Sequence, residues 1–226
     1  METRSRFSRF WPLGGRETAL LLAVCVATGV AGGFALHALG THPRAASEAL
    51  PAASANGLVG DAVWPAGARP APPFVLHDQS DRSVALSGQH GRAVLIAFMD
   101  SHCTRDCKLE GPVLRDALRQ AGSRRPVTLL IVSVNPWQDT AASSRGAAAR
   151  YRLGGDWHWL RGSLAELRRV WRAYAIEVVR TPSDVNHSTA IYLLDGRGYE
   201  RAGFNYPFEA SQVARDLRRL APSPAS

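Results

Sequence analysis

Three predominantly apolar runs punctuate the chain from residue 93 onward: AVLIAFM (Ala93–Met99), VTLLIVSV (Val127–Val134) and TAIYLL (Thr189–Leu194). Runs of this length suit strands buried on both faces. Between them, apolar residues recur at helical spacing. Leu109, Val113, Leu114, Ala117 and Leu118 share one face of a helix predicted from about Cys107 to Gln120. AASSRGAAARYR (residues 141–152) is helical in composition, with Gly146 as its weak point. SLAELRRVWRAYAI is an amphipathic helix capped by Ser163, with Glu166 at the capping-box position. A last helix is predicted over Glu209–Leu220. Phe74–Leu76 and Ser83–Leu86 read as short strands around the turn Asp78-Gln79-Ser80-Asp81. Tyr199–Phe204, after the turn Asp195–Gly198, reads as a returning edge strand. Strands alternating with helices predict an α/β domain whose central sheet is covered on both faces, and the final ββ turn makes that sheet mixed.

A different pattern fills the N-terminal part. Thr18–Leu39 holds no charged residue; as a helix it would be about 33 Å long, enough for a bilayer core of about 30 Å. Arg4, Arg6, Arg9 and Arg16 precede it and Arg44 follows. That bias predicts a single-pass transmembrane helix with residues 1–17 in the cytoplasm and the rest on the extracytoplasmic side. The run is longer than the apolar core of a cleaved signal peptide, the competing reading. Residues 40–69, rich in Ala, Pro, Ser and Gly without periodicity, read as a flexible linker, 70–221 as the domain and 222–226 as a disordered tail.

Composition changes this picture little. Apolar content of 46% and charged content of 20% belong to an ordinary globular protein. The formal net charge is +8, carried almost wholly by arginine, with Lys108 the one lysine. The pairs Arg124-Arg125, Arg168-Arg169 and Arg218-Arg219 read as solvated helix faces. No basic run is long enough for a nucleic-acid tail, so a nucleic-acid partner is not expected.

The candidate chemistry lies in DSHCTRDCKLE, residues 100–110. Of the three cysteines, Cys25 sits in the N-terminal apolar run, which leaves Cys103 and Cys107 for the domain. They follow a buried strand at the mouth of a helix, where open α/β sheets place their sites. A helix N-terminus favours thiolate, which predicts lowered pKa values and two reactive thiols. Four residues apart, the sulfurs can close a redox disulfide or grip one soft metal ion. Two thiolates leave a metal under-coordinated. His187, just before the buried strand Thr189–Leu194, is the best third ligand, and His102 beside Cys103 is a possible bystander. Two sulfurs and an imidazole suit copper in either oxidation state.

Five pieces, in order, resemble the Sco/SenC family of copper-binding proteins over roughly Pro70–Leu220: FVLHDQSDRSVAL, HCTRDC, SVNPWQDT, WHWLRG and VNHSTAIYLLDGRG. The resemblance implies a thioredoxin-like fold behind a membrane anchor, binding Cu(I) or Cu(II) through Cys103, Cys107 and His187. It implies a metallochaperone more than an enzyme, delivering copper to the binuclear copper site of cytochrome c oxidase from the extracytoplasmic face of a bacterial inner membrane. The alternative is a thiol–disulfide oxidoreductase in which Cys103 and Cys107 form the redox pair. A peroxidase of the peroxiredoxin type, which expects a lone attacking cysteine, fits less well. The chain departs from the family pattern at Thr104 and Lys108, where prolines are usual, and at Asn135 and Asn186, where Asp is usual. Asn186 removes a carboxylate that could have oriented His187; Asp184 could replace it only if its loop folds back.

Overall fold

The computed structural model describes residues 57–103, 106–122 and 127–221. The expected anchor, the cytoplasmic segment and the tail lie outside these residues. Among the described residues no helix is long and apolar enough to cross a membrane. Residues from Ala52 onward cluster as one compact unit.

In chain order the elements are β1 (Ala62–Val63), β2 (Val75–His77), β3 (Ser83–Ala85), β4 (Ala93–Met99), α1 (Asp106–Ala121), β5 (Val127–Ser133) and α2 (Ala141–Tyr151). Then come β6 (Asp156–Leu160), α3 (Leu164–Ala173), β7 (Val178–Arg180), β8 (Val185–His187), β9 (Ala190–Leu194), β10 (Glu200–Asn205) and α4 (Ala210–Leu220). The main sheet runs β1-β10-β9-β4-β5-β6, while β2–β3 and β7–β8 form separate hairpins. Strands β4, β5 and β6 are parallel; β9 runs antiparallel to β4, and β10 antiparallel to β9. This is the thioredoxin-like mixed sheet that the resemblance implies.

The three apolar runs become its adjacent central strands, β9, β4 and β5. Their side chains alternate between two cores, as pleating requires. Leu95, Ala97, Met99, Leu129 and Ile131 face α1 and α4. Val94, Ile96, Phe98, Leu130 and Val132 face α3 and the β2–β3 hairpin. Helices cover both faces. The Ser163–Glu166 capping box forms as the sequence signals, and Thr140 with Ser143 makes a second one at the start of α2.

Three features differ from the sequence reading. The Tyr199–Phe204 stretch is not an edge. Strand β1 pairs along β10 and covers it, and β10 is buried through Phe204. Packing onto the domain also begins well before residue 70. Leu58 is 2% exposed, and the backbone N–H groups of Val59 and Gly60 donate to Asp216 of α4. The two-residue strand β1 has no periodicity of its own to announce it. Finally, WHWLRG contributes β6, the opposite edge, and the segment before His187 folds into the β7–β8 hairpin.

Candidate metal centre

The carboxyl ends of parallel β4, β5 and β6 and the amino end of antiparallel β9 meet on one side of the sheet. Strand β4 therefore delivers Cys103 and Cys107 to the place where β8 delivers His187. Cys107 is fully buried in the first turn of α1, and Cys103 is half-buried just before it. No disulfide joins them. The Cys107 N–H donates to Cys103 Sγ at 3.4 Å, so one otherwise unpaired donor of the helix start is spent on sulfur.

His187 comes from across the sheet. Its Nε2 lies 3.8 Å from Cys107 Sγ, and its Nδ1 lies 2.9 Å from the Ser188 carbonyl oxygen. A carbonyl only accepts, so Nδ1 carries the ring proton. A neutral imidazole then presents the Nε2 lone pair to the sulfur, the tautomer that a metal ligand needs. The orienting role that a carboxylate at position 186 could have played thus belongs to a backbone carbonyl. Asn186 is exposed and pairs with Val179. Asp184 is engaged in the hairpin turn, where its carboxylate accepts from the Val185 N–H and its carbonyl from Thr181. The hairpin is pinned from outside by the Arg180 guanidinium, 4.8 Å over the Trp137 ring.

The expectation of lowered thiol pKa values fails for Cys107. The hydrogen bond shared with the Cys103 sulfur and then burial push its thiol far up, against a backbone hydrogen bond from Asp100 that pulls the other way; the Cys103 and Glu110 charges add to the rise. The helix N-terminus does not offset a buried site in which two sulfurs share a proton. In the metal-free state Cys107 is a thiol that shares its proton with the Cys103 sulfur, and His187 Nε2 stands 3.8 Å from its Sγ.

The turn that presents the cysteines is braced by residues the sequence reading passed over. Asp139 Oδ1 accepts from the Ser101 N–H and hydroxyl, and Oδ2 accepts from Ser133. Burial raises the Asp139 pKa, and these hydrogen bonds only partly counter it. Asn135 donates to Asp100 Oδ2 at 3.1 Å. An Asp at 135 would instead set two buried carboxylates against each other. The His102 ring joins this brace: its Nδ1 lies 3.1 Å from Ser101 Oγ, 3.6 Å from Asp139 and 3.8 Å from Asp100. Asp100, His102 and Asp139 group potential ligand atoms, but both Asp139 oxygens are already committed, so the group acts as a brace. The short polar Ser101 and Ser133 at strand ends, with Asp139 just before α2, were the one sequence signal for it.

The family model for SCO1/SenC matches residues 65–222. Protein SCO2 homolog, mitochondrial, of Bos taurus is 31% identical over 159 residues, covering 65% of this chain and 58% of that protein. The chain thus spans little more than half the length of that relative. Among solved structures, Bradyrhizobium japonicum ScoI with copper bound is 28% identical, with a TM-score of 0.59, covering 68% of this chain and 99% of that one. Arabidopsis thaliana ScoI with copper bound shares the fold at a TM-score of 0.61 and 21% identity, covering 66% of this chain and 96% of that one.

Proposed function

The chain belongs to the SCO1/SenC family, and on that premise we propose that Cys103, Cys107 and His187 form a copper site on a membrane-tethered metallochaperone. The observation that carries this reading is His187: its Nε2 faces the Cys107 sulfur while its Nδ1 proton is fixed by the Ser188 carbonyl. Two soft sulfurs and a borderline nitrogen, buried on one side, match Cu(I) and Cu(II). Copper replaces the proton that the sulfurs share and draws Cys103 Sγ from the helix N–H toward the ion. Two thiolates hold Cu(I) unaided, so the imidazole can leave first when the ion passes to a recipient. The recipient is a copper-bearing subunit of cytochrome c oxidase. The domain works on the extracytoplasmic side of a bacterial inner membrane, anchored by residues 18–39, with 222–226 as a loose end.

A second reading, a thiol–disulfide oxidoreductase, draws on the Cys107 N–H aimed at the half-buried Cys103 sulfur, which would stabilise an attacking thiolate. His187→Ala separates the two. The copper reading expects Cu(II) affinity to fall more than Cu(I) affinity, while exchange with a small dithiol continues; Cys103→Ala or Cys107→Ala, by contrast, should abolish the Cu(II)–thiolate absorption band. In cells, oxidase copper loading should fail and be partly restored by added copper. Full oxidase assembly with His187→Ala, beside none with Cys103→Ala, assigns the protein to the reductase reading instead.

A further inference from the structure

The end of the domain opposite the sulfurs carries different chemistry. Here β4, β5 and β6 begin and α1 finishes. Arg92, Arg115, Arg119 and Arg152 line one cavity of about 870 Å³ with Leu118 and Val127, and Asp156 is the one carboxylate in its wall among the described residues. Arg92 pairs with Asp156, while Arg115 and Arg119 share Asp116 at 2.9 and 3.2 Å. Two guanidiniums on one carboxylate leave net positive charge, and Arg152 adds to it from the exposed end of α2.

The basic surface continues onto α4. Arg218 donates to the Gln120 carbonyl at the end of α1, which places the two helix ends together. The described chain starts at the same end: a Cβ on Gly57 would stand 3.0 Å from Arg219 Nη1. Residues 40–56, which separate Gly57 from the uncharged run Thr18–Leu39, can span at most about 60 Å.

We propose that this arginine-lined end docks on an anionic phospholipid surface. Guanidiniums are planar, always charged and bidentate toward phosphate. Leu118 and Val127 give the cavity an apolar wall suited to the boundary of headgroups and acyl chains. The copper site then faces away from the bilayer, toward a recipient. The inference extends the membrane-tethered reading, but its test needs neither the anchor nor copper, so the two can fail separately.

The fragment 52–226, the compact unit, is sedimented with phosphatidylcholine vesicles made with and without phosphatidylglycerol. We expect capture only by the phosphatidylglycerol vesicles, with release between about 50 mM and about 500 mM salt as screening sets in. Each arginine near such a surface strengthens partition about five-fold, so Arg119→Gln with Arg152→Asn should weaken it about twenty-five-fold. Both side chains are exposed, and Asn tolerates the left-handed backbone at position 152, where φ is 55°. The double variant should bind copper unchanged. Equal capture by both vesicles, no capture, or an unchanged double variant overturns the proposal. So does tighter binding of a single-stranded RNA oligomer than of the anionic vesicles.

Discussion

At the scale of single residues, the centre depends on where protons sit. The Cys107 thiol is held far above its ordinary range because it shares a hydrogen bond with Cys103 and is buried. Copper takes thiolate, so its binding must release protons. Apparent copper affinity should therefore rise with pH through the neutral range, about ten-fold per pH unit for each proton displaced. Calorimetry in buffers of different ionisation enthalpy counts those protons, and a pH-independent affinity would mean that the sulfurs are already ionised.

Among elements, the β7–β8 hairpin carries His187, the third ligand proposed for copper. It is short, and Val179 on it is 47% exposed, so little apolar burial fixes it. The Arg180–Trp137 stack substitutes for that burial, and contacts of this kind contribute about 0.5–1 kcal/mol at exposed sites. Trp137→Ala should leave the Cu(I) affinity near that of the parent and weaken Cu(II), read by competition with chelators, while the melting temperature changes little. The β2–β3 turn gives a different test. Burial alone would raise the Asp78 carboxyl, but the Ser80 and Arg82 N–H groups, His158 and the Arg82 guanidinium together hold it below the usual carboxylate range. A depressed folded-state pKa contributes stability above the unfolded value near 3.8, and that contribution is lost as pH falls through the lower folded value. Asp78→Asn should therefore destabilise the protein at neutral pH and flatten its stability profile on the acid side, measured by denaturant titration at several pH values.

The whole molecule separates its two chemistries by end. Parallel strands carry the thiols and their brace at their carboxyl ends and the arginines at their amino ends. The incoming chain enters at the arginine end, where Gly57 lies beside Arg219, and packs on the domain at once, since Leu58 is buried and the Val59 and Gly60 N–H groups bind the Asp216 carboxylate. Leu58→Ala should cost about 2–5 kcal/mol, the usual range for truncating a buried leucine. A fragment starting at residue 70 should be less stable still, because it also exposes the outer edge of β10. Equal denaturation midpoints for fragments starting at 52 and at 70 would show that β1 is dispensable.

The three apolar runs, the amphipathic helices with their caps, and the order of Cys103, Cys107 and His187 were legible because each is written in side chains with a period or a spacing. Hydrophobic continuity placed β4, β5 and β9 at the centre, and the alternation of strands and helices placed the cysteines at the carboxyl end of a strand. What the tertiary structure decided has no such signature. Strand β1 has two residues and exists because β10 offers it a partner; β7 and β8 have three each and exist through each other. The group that orients His187 is a backbone carbonyl, identical in every residue and invisible in a sequence. The direction of the Cys107 pKa followed from burial and a shared proton, which exist only once β4, α1 and β8 have met, and these outweigh the helix-start effect that position alone suggests.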